Sequence, residues 1–250
     1  MLPRDKMSER AAPMIVIPAY NEAGRIGDVV RAVRAATADS RIVVVDDGST
    51  DATPQEARAA GAEVVSLPLN LGYGCALQTG YLFARAQGVE RLVQLDADGQ
   101  HEPACIPELL AGLDNGLDVA VGSRYLTAQP PSVGIARRTG AWLFGKIATL
   151  WTGVRITDPT SGFQALSHRA VAHLVRDSFP EDYPDTDVLI DLHRAGLRIG
   201  EVPVLMYPRR GGKSMHRGGK VAFYAYKMFL NLSLLPVRRT SPFRSGRAAG

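Results

Sequence analysis

Short apolar runs alternate with segments of helical periodicity through the first half of this chain, and that alternation restricts its fold more than any other feature. The predicted strands are residues 14–18, 41–45, 63–67, 91–95 and 118–121, and helical segments at 22–38, 52–60, 74–87 and 103–113 follow the first four. The strand runs are continuously apolar and rich in β-branched residues, which is typical of strands covered on both faces. The sequence therefore predicts an α/β fold, with a parallel sheet between helices and ligands at the carboxyl ends of the strands.

The second half of the chain is less regular. It predicts a loop at 126–133, strands at 161–167 and 198–205, and helices at 134–152, 186–195 and 217–235. No linker rich in Pro, Gly or Ser divides the chain, so we expect a single domain over residues 13–216. A disordered leader is predicted at 1–12, an amphipathic, interfacial helix at 217–237 and a basic disordered tail at 238–250.

The charge of the chain is divided between an acidic body and a basic end. Residues 202–250 hold 10 of the 29 Lys and Arg residues and none of the 25 Asp and Glu residues. The first 201 residues therefore carry a net charge of −6 and the rest +10, and such asymmetry indicates an anionic partner. No apolar run reaches the roughly 18–20 residues that span a bilayer. We expect contact with an anionic membrane surface instead, through residues 217–237.

Composition excludes several other classes of protein. With 46% hydrophobic and 22% charged residues, the chain is neither disordered nor fibrous. Two cysteines, Cys75 and Cys105, do not make a disulfide framework, and the N-terminus lacks the apolar segment of a signal peptide. Both features are typical of a cytoplasmic protein with reduced thiols. No aromatic-interleaved basic pattern is present, so we expect no nucleic-acid partner.

Two of the predicted strands end in aspartates. Asp47 follows the second strand, and Asp96 and Asp98 follow the fourth. Turn formation and helix capping account for residues 49–51. Mg²⁺ takes oxygen ligands, typically one or two carboxylates together with substrate phosphates. The two acidic strand ends together predict a metal site that makes a diphosphate a better leaving group.

Seven short motifs occur in order over residues 14–216. They are Ile17-Pro18-Ala19-Tyr20-Asn21-Glu22, Val44-Val45-Asp46-Asp47-Gly48-Ser49-Thr50-Asp51, Asn70-Leu71-Gly72-Tyr73-Gly74, Asp96-Ala97-Asp98-Gly99-Gln100-His101, Gly122-Ser123-Arg124-Tyr125, Asp158-Pro159-Thr160-Ser161-Gly162-Phe163 and Arg209-Arg210-Gly211-Gly212-Lys213-Ser214. With these motifs the chain resembles family 2 glycosyltransferases of the GT-A fold, close to the dolichyl- and polyprenyl-phosphate sugar synthases. The resemblance implies a Rossmann-like, mostly parallel sheet flanked by helices, and a metal-dependent, inverting transferase.

The resemblance also implies roles for individual residues. Asp96 and Asp98 are the implied ligands of Mg²⁺ or Mn²⁺, with Asp98 the more direct ligand, and Arg124 is expected near the donor diphosphate or the acceptor phosphate. The implied contacts of a UDP- or GDP-sugar donor are Pro18, Tyr20, Glu22, Asp47, Asp96, Ala97, Gln100, Arg209, Arg210 and Lys213. The implied catalytic set is Asp98, Arg124, Asp185 and Asp187.

The acceptor decides whether the reaction needs a general base. Polyprenyl phosphate is already an anion and needs none, whereas a saccharide hydroxyl needs a carboxylate to take its proton. Asp185 and Asp187 are the candidate bases, and Asp187 fits a helix-start charge equally well. Both acceptors therefore stay open at this point.

The leading hypothesis is transfer to polyprenyl phosphate by a cytoplasmic enzyme that is peripheral at the inner face of the plasma membrane. It would act as a homo-oligomer or with a small membrane-protein partner. The main alternative is transfer to a saccharide hydroxyl in cell-wall, capsule or antigen assembly. A sugar-phosphate nucleotidyltransferase has a related fold, but the Gly-rich basic loop expected after its first strand is missing here. A non-catalytic GT-A subunit is disfavoured because Asp96 and Asp98 are both present.

Overall fold

The fold is taken from a computed structural model that describes residues 11–127, 135–176, 179–180 and 186–207. Strands β1 to β7 are Met14–Ala19, Arg41–Asp46, Glu63–Ser66, Arg91–Gln94, Val119–Ser123, Gln164–Ser167 and Ile199–Pro203. Helices α1 to α7 are Ile26–Ala36, Thr53–Ala59, Tyr73–Ala86, Ile106–Asp114, Ile135–Thr152, His168–Leu174 and Thr186–Arg194. The segments 217–237 and 238–250, and nearly all of 1–12, lie outside the described residues, so the domain boundaries stay predictions.

The strands form one sheet in the order β3-β2-β1-β4-β6-β5-β7. β1 pairs in parallel with β2 and β4, β2 with β3, and β5 with β7, whereas β6 is antiparallel to β4 and β5. The prediction of an α/β fold with a mostly parallel sheet is confirmed. The sequence did not predict that β6 runs antiparallel to its neighbours. A short apolar run indicates a strand but not the direction of that strand.

Helices cover both faces of the sheet, as the continuous apolar runs predict. In β1, Met14 and Val16 belong to a core that includes side chains of α3, α6 and α7, while Ile15 and Ile17 belong to a second core with α1 and α4. All four side chains are buried, and they alternate because successive side chains of a strand point to opposite faces. Because helices cover both faces of the sheet, the polar residues of a binding site are expected at the ends of the strands.

Two helices differ from the sequence prediction. α1 begins at Ile26 rather than near residue 22, because the N–H groups of residues 21–24 bond to side chains that follow β2. α6 was not predicted, since seven residues are too few to show a clear helical period. Ser167 caps α6, and its hydroxyl accepts the N–H of Ala170 at 3.3 Å.

The sheet has a switch point at β1, where β2 lies on one side and β4 on the other. β4 pairs with β1 only along Met14–Val16, so the two strands part before β1 ends. Crevices of this kind, outside the carboxyl ends of strands, are where open α/β sheets bind ligands. Tyr20, Asp47 and Asp96 follow β1, β2 and β4 at this edge, which places the predicted site residues around one crevice.

Candidate active site

Side-chain hydrogen bonds lock the loop after β1 to the turn after β2. Asn21 adopts a left-handed conformation with φ 53°. Its N–H donates to Ser49 Oγ at 3.0 Å, and its Oδ1 accepts the N–H of Thr50 at 2.9 Å. The N–H of Glu22 donates to Thr53 Oγ1 at 2.8 Å. Two motifs that lie far apart in the sequence thus form one wall of the crevice.

Three residues expected at the nucleotide lie on this wall. Pro18 is buried within β1, and Tyr20 is 45% exposed just after it. The carboxylate of Glu22 forms an ion pair with Arg25, with 2.5 Å between Oε2 and Nη2. The ring of Tyr20 is therefore open to a ligand, whereas the carboxylate of Glu22 already has a charged neighbour.

Asp47 is buried and holds the segment that precedes α3. Its two carboxylate oxygens accept the N–H of Leu71 at 2.8 Å and that of Gly72 at 3.0 Å. Burial raises the pKa of Asp47, the two N–H donors lower it, and the nearby Asp46 raises it further, with a net upward shift. Asp47 thus fixes the segment before α3, which forms a wall of the site.

Gly48 lies where the turn after β2 packs against the same segment. It has φ +68°, and a Cβ at this position would lie 2.5 Å from the carbonyl carbon of Leu69 and 2.7 Å from the nitrogen of Asn70. We expect Gly48→Ala to lower the free energy of unfolding by about 3 kcal/mol, because it combines left-handed strain with overpacking against backbone. Denaturant unfolding followed by circular dichroism measures the loss.

Gly88→Ala is the matched control for this prediction. Gly88 also has a positive φ, +65°, but no atom lies within 4 Å of the Cβ that alanine would add. It should lose only about 1 kcal/mol, from conformational strain alone. Equal losses in the two variants would contradict the packing argument.

Asp96 forms the centre of the site. Its Oδ1 accepts the hydroxyl of Tyr73 at 2.8 Å, and its Oδ2 lies 3.1 Å from Nε2 of His101. Burial alone would raise the pKa of Asp96, but His101, Tyr73 and the charge of Arg124 together hold it below its ordinary value. The carboxylate is therefore ionised at neutral pH.

The segment before β6 covers Asp96 from the other side. A Cβ on Gly162 would lie 2.9 Å from both carboxylate oxygens of Asp96 and 3.0 Å from the hydroxyl oxygen of Tyr73, so only glycine permits this approach. The next residue, Phe163, packs its ring 5.0 Å from that of His101. The Asp96 carboxylate is thus held by residues from three separate parts of the chain.

Asp98 and Gln100 form the turn that follows Asp96. The N–H of Gln100 donates to Asp98 Oδ1 at 3.0 Å, and its side-chain Nε2 donates to the carbonyl of Tyr207 at 3.3 Å. Tyr207 returns an N–H bond to the carbonyl of Gln100 at 2.7 Å. Residues 205–207 therefore lie along this turn, and the amide oxygen of Gln100 has no partner among the described residues.

These side chains fit a divalent cation. Asp96, Asp98 and Gln100 supply oxygen donors, which are the ligands that Mg²⁺ and Mn²⁺ take. In the described ranges, no three His, Cys, Asp or Glu side chains converge as a metal cage. Asp96 and Asp98 would contribute two carboxylates, a number typical of Mg²⁺ sites completed by substrate phosphates and water.

A buried ion pair lies beside this carboxylate centre. Arg124 donates from Nε to Asp158 Oδ2 at 2.6 Å and from its backbone N–H to the same oxygen at 3.1 Å. The two side chains are 5% and 1% exposed. Burial opposes the charge of Arg124, but Asp158 outweighs it and raises the pKa of Arg124, with a smaller contribution from Asp96. A permanent positive charge is thus fixed close to Asp96.

Glu201 of β7 holds the loop that carries Asp158. Its Oε1 accepts the N–H groups of Thr157 and Asp158, both at 2.7 Å, and its Oε2 accepts the Thr157 hydroxyl at 2.7 Å. Thr157 Oγ1 also lies 2.7 Å from the hydroxyl of Ser123 at the end of β5. Burial raises the pKa of Glu201, and the bonds from Thr157 and Asp158 partly offset it. The paired strands β5 and β7 therefore position Asp158 and, through it, Arg124.

Two of the remaining predicted site residues are buried. Ala97 lies in the turn between Asp96 and Asp98, and Asp187 lies in the first turn of α7. Four predicted residues lie outside the described part of the chain: Asp185, Arg209, Arg210 and Lys213. Among the helices that the structure describes, none has both the length and the apolar character to cross a membrane.

The sequence interpretation assigned no site role to four residues that the structure brings there: Tyr73, His101, Asp158 and Glu201. His101 comes three residues after Asp98, and its position in the acidic turn could have indicated a role in the site. Tyr73 and Asp158 lie within recognised motifs, but their partners are remote in sequence. Nothing in the sequence indicates Glu201, because its role depends on β7 pairing with β5.

Comparisons with known proteins agree with this geometry. Residues 14–175 match the model of the family described as glycosyl transferase family 2. Polyprenol monophosphomannose synthase from Mycolicibacterium smegmatis is 31% identical over 232 residues, which cover 86% of this chain and 84% of the relative. Undecaprenyl-phosphate mannosyltransferase from Micrococcus luteus is 29% identical over 83% of this chain and 88% of that protein.

A solved structure shows the same fold. Glucosyl-3-phosphoglycerate synthase from Mycobacterium tuberculosis, in complex with Mn²⁺ and uridine-diphosphate-glucose, matches with a TM-score of 0.69 and 23% identity. The match covers 97% of this chain and 83% of that chain. At 23% identity, the similarity between the two structures shows a shared fold and not a shared activity.

The fold and the acidic strand ends define the class of this protein as a glycosyltransferase with the GT-A architecture. Since the family match spans more than half of the residues, the chain belongs to glycosyl transferase family 2. The names of the relatives confirm the predicted resemblance to the polyprenyl-phosphate sugar synthases. The nucleotidyltransferase and the non-catalytic subunit are therefore not retained as alternatives.

Proposed function

We propose that this enzyme transfers a sugar, with inversion, from a UDP- or GDP-sugar to polyprenyl phosphate. The proposal rests mainly on the position of Arg124, because Asp158 holds its guanidinium beside the ionised Asp96. A fixed cation at this position suits a reaction in which an anionic acceptor meets a diphosphate leaving group. The polyprenyl-phosphate enzymes among its relatives support the choice of acceptor.

The donor is proposed to bind along the crevice between β1 and β4. The exposed Tyr20 is available to stack on the base, and Gln100 lies in the turn with Asp98, whose Oδ1 accepts its N–H. The membership of glycosyl transferase family 2 supports the predicted role of Arg209, Arg210 and Lys213 at the diphosphate.

A divalent cation, Mg²⁺ or Mn²⁺, is proposed to bind Asp96 and Asp98. When bound, it would supply Lewis-acid stabilisation of the charge that develops on the leaving diphosphate. The oxygen donors of the turn support this proposal, as does the Mn²⁺ in the complex of glucosyl-3-phosphoglycerate synthase. Tyr73 and His101 would orient Asp96 toward the ion.

In the proposed reaction, an oxygen of the acceptor phosphate attacks the anomeric carbon from the face opposite the diphosphate. A bond forms between that oxygen and the anomeric carbon while the bond from this carbon to the diphosphate oxygen breaks. The nucleoside diphosphate leaves with the electron pair, and Arg124 stabilises the separating negative charge. No base is needed because the attacking phosphate is already an anion. The burial of Asp187 in the first turn of α7 supports a structural role for that residue.

The acceptor is a membrane lipid, so we also propose that the enzyme works at the cytoplasmic face of the plasma membrane as a peripheral protein. The outer face of α5 supports this placement, because Trp142 is 61% exposed and Leu150 is 82% exposed, with Lys146 between them. Exposed tryptophan and leucine near a cation are typical of helices that lie in a membrane interface. The helix predicted at 217–237, and a small membrane-protein partner or homo-oligomer, remain proposals from the sequence.

The test uses purified enzyme, Mg²⁺ or Mn²⁺, and a panel of UDP- and GDP-sugars, each with polyprenyl phosphate, polyprenol or a saccharide acceptor. We expect a polyprenyl-phosphate sugar as the product, detected by mass spectrometry, and no product from the neutral acceptors. Asp187→Asn should keep kcat within about threefold, since no proton is removed from the acceptor. Product from the saccharide alone, together with a large loss of kcat in folded Asp187→Asn, would replace this proposal with the hydroxyl-acceptor reaction.

A further inference from the structure

A cavity of about 430 Å³ lies beside the middle of α5. It is bounded by α5 on one side and by residues 155–157 on the other, with Tyr125, Trp142 and Lys146 in its wall. Gly145 allows the helix to approach this segment closely, since a Cβ there would lie 2.8 Å from the carbonyl oxygen of Ile156. The volume is that of a typical site for a small ligand or for the head of a larger one.

The cavity adjoins the active site. Two of its lining residues, Tyr125 and Thr157, are the sequence neighbours of Arg124 and Asp158. The guanidinium carbon of Arg124 lies 5.9 Å from the ring centre of Tyr125. Thr157 is fixed by its bonds to Glu201. A group held in this cavity therefore lies next to the buried ion pair that borders Asp96.

The chemistry of the cavity wall is cationic and apolar. Lys146 and Arg155 both line it, and neither has a hydrogen-bond or ion-pair partner among the described residues. The apolar part of the wall comes from Tyr125, Trp142 and Ile156. No described carboxylate lines the cavity. Two cations that have no partner among the described residues, beside aromatic side chains, fit a ligand that joins an anionic head to a hydrocarbon chain.

We propose that this cavity binds the acceptor, with Lys146 and Arg155 in contact with its phosphate and Trp142 and Tyr125 in contact with its first isoprenoid units. The assignment rests on the proposed function, because it specifies where polyprenyl phosphate binds. Trp142 is 61% exposed, and we propose that the rest of the hydrocarbon chain leaves the cavity past its side chain toward the membrane. The phosphate would then approach the anomeric carbon from the side of Lys146 and Arg155.

The experiment measures transfer kinetics for Lys146→Gln, Arg155→Gln and the double variant. Each single change should raise the KM for polyprenyl phosphate about tenfold, since each removes a charge-assisted contact. The KM for the nucleotide sugar and kcat at saturating acceptor should stay within about twofold, because the donor site is unchanged. Arg85→Gln is the matched control, because Arg85 is an exposed cation on α3 and lies outside the cavity wall.

A binding measurement separates this inference from the proposed function. Farnesyl phosphate should raise the Tm of the wild-type enzyme in the presence of nucleoside diphosphate and Mn²⁺, whereas farnesol and inorganic phosphate should do so much less. The double variant should lose the farnesyl phosphate shift. If the wild type transfers sugar to polyprenyl phosphate but the variants keep its KM and the Tm shift, the cavity assignment is wrong and the proposed function stands. If the wild type neither transfers to polyprenyl phosphate nor responds to farnesyl phosphate, both are wrong.

Discussion

The Asp98→Asn variant is expected to lose about 100-fold or more in kcat/KM while it keeps its fold. Asparagine retains an oxygen that can accept the N–H of Gln100, the bond that shapes the turn after Asp96. What it removes is the negative charge that the proposed cation needs. We therefore also expect the Mn²⁺ concentration for half-maximal activity to rise by at least about tenfold. Initial rates over a Mn²⁺ titration, with the Tm of both proteins, measure these effects.

Asp39→Asn is the matched control for that substitution. Asp39 is an exposed aspartate between α1 and β2, away from the carboxyl ends of the strands, so the same loss of charge should leave kcat/KM within about twofold. If folded Asp98→Asn keeps its activity and its Mn²⁺ dependence, Asp98 does not bind the cation, and the metal site proposed here is wrong.

The Asp158→Asn variant is expected to lose about 3 kcal/mol in the free energy of unfolding, because it leaves the buried charge of Arg124 uncompensated. Both partners are almost fully buried, and the pair joins the ends of β5 and the loop that Glu201 holds. The folded fraction should also show a kcat/KM at least about tenfold lower, since the guanidinium loses its fixed orientation. Denaturant unfolding and initial rates measure the two effects separately.

A variant in an exposed ion pair and a double variant serve as controls for the Asp158→Asn prediction. Asp28→Asn breaks a surface ion pair with Arg31, whose side chains are 80% and 63% exposed, and should cost at most about 0.5 kcal/mol. The double variant Arg124→Met with Asp158→Leu removes both charges, so it should be more stable than Asp158→Asn and yet inactive. An active double variant would contradict the role of Arg124 in the reaction.

The alternation of elements and the acidic strand ends could be predicted from the sequence, because both depend on local patterns. A continuous apolar run marks a strand that is covered on both faces, and in a parallel sheet the carboxyl ends of such strands share an edge. Asp47, Asp96 and Asp98 could therefore be assigned to one crevice without coordinates. Ordered motifs then identified the family, and the match over residues 14–175 confirmed it.

The contacts that each site residue makes could not be predicted in the same way. The sequence does not show that the carboxylate of Asp47 bonds to N–H groups 24 and 25 residues away. The sequence also does not show that Gly162 contacts the carboxylate of Asp96. Such contacts depend on strand order, and in particular on the antiparallel insertion of β6 between β4 and β5.

By itself, the sequence determined the α/β class, the family and the edge of the sheet where the acidic residues gather, since helical and strand periods and short motifs are properties of neighbouring residues. Only the tertiary structure decided what those residues contact. Arg124 and Asp158 are 34 residues apart, and Thr157 and Glu201 are 44 apart. These pairs form because β5, β6 and β7 become neighbours in the sheet, and burial then makes their charges and hydrogen bonds strong enough to hold a site in place.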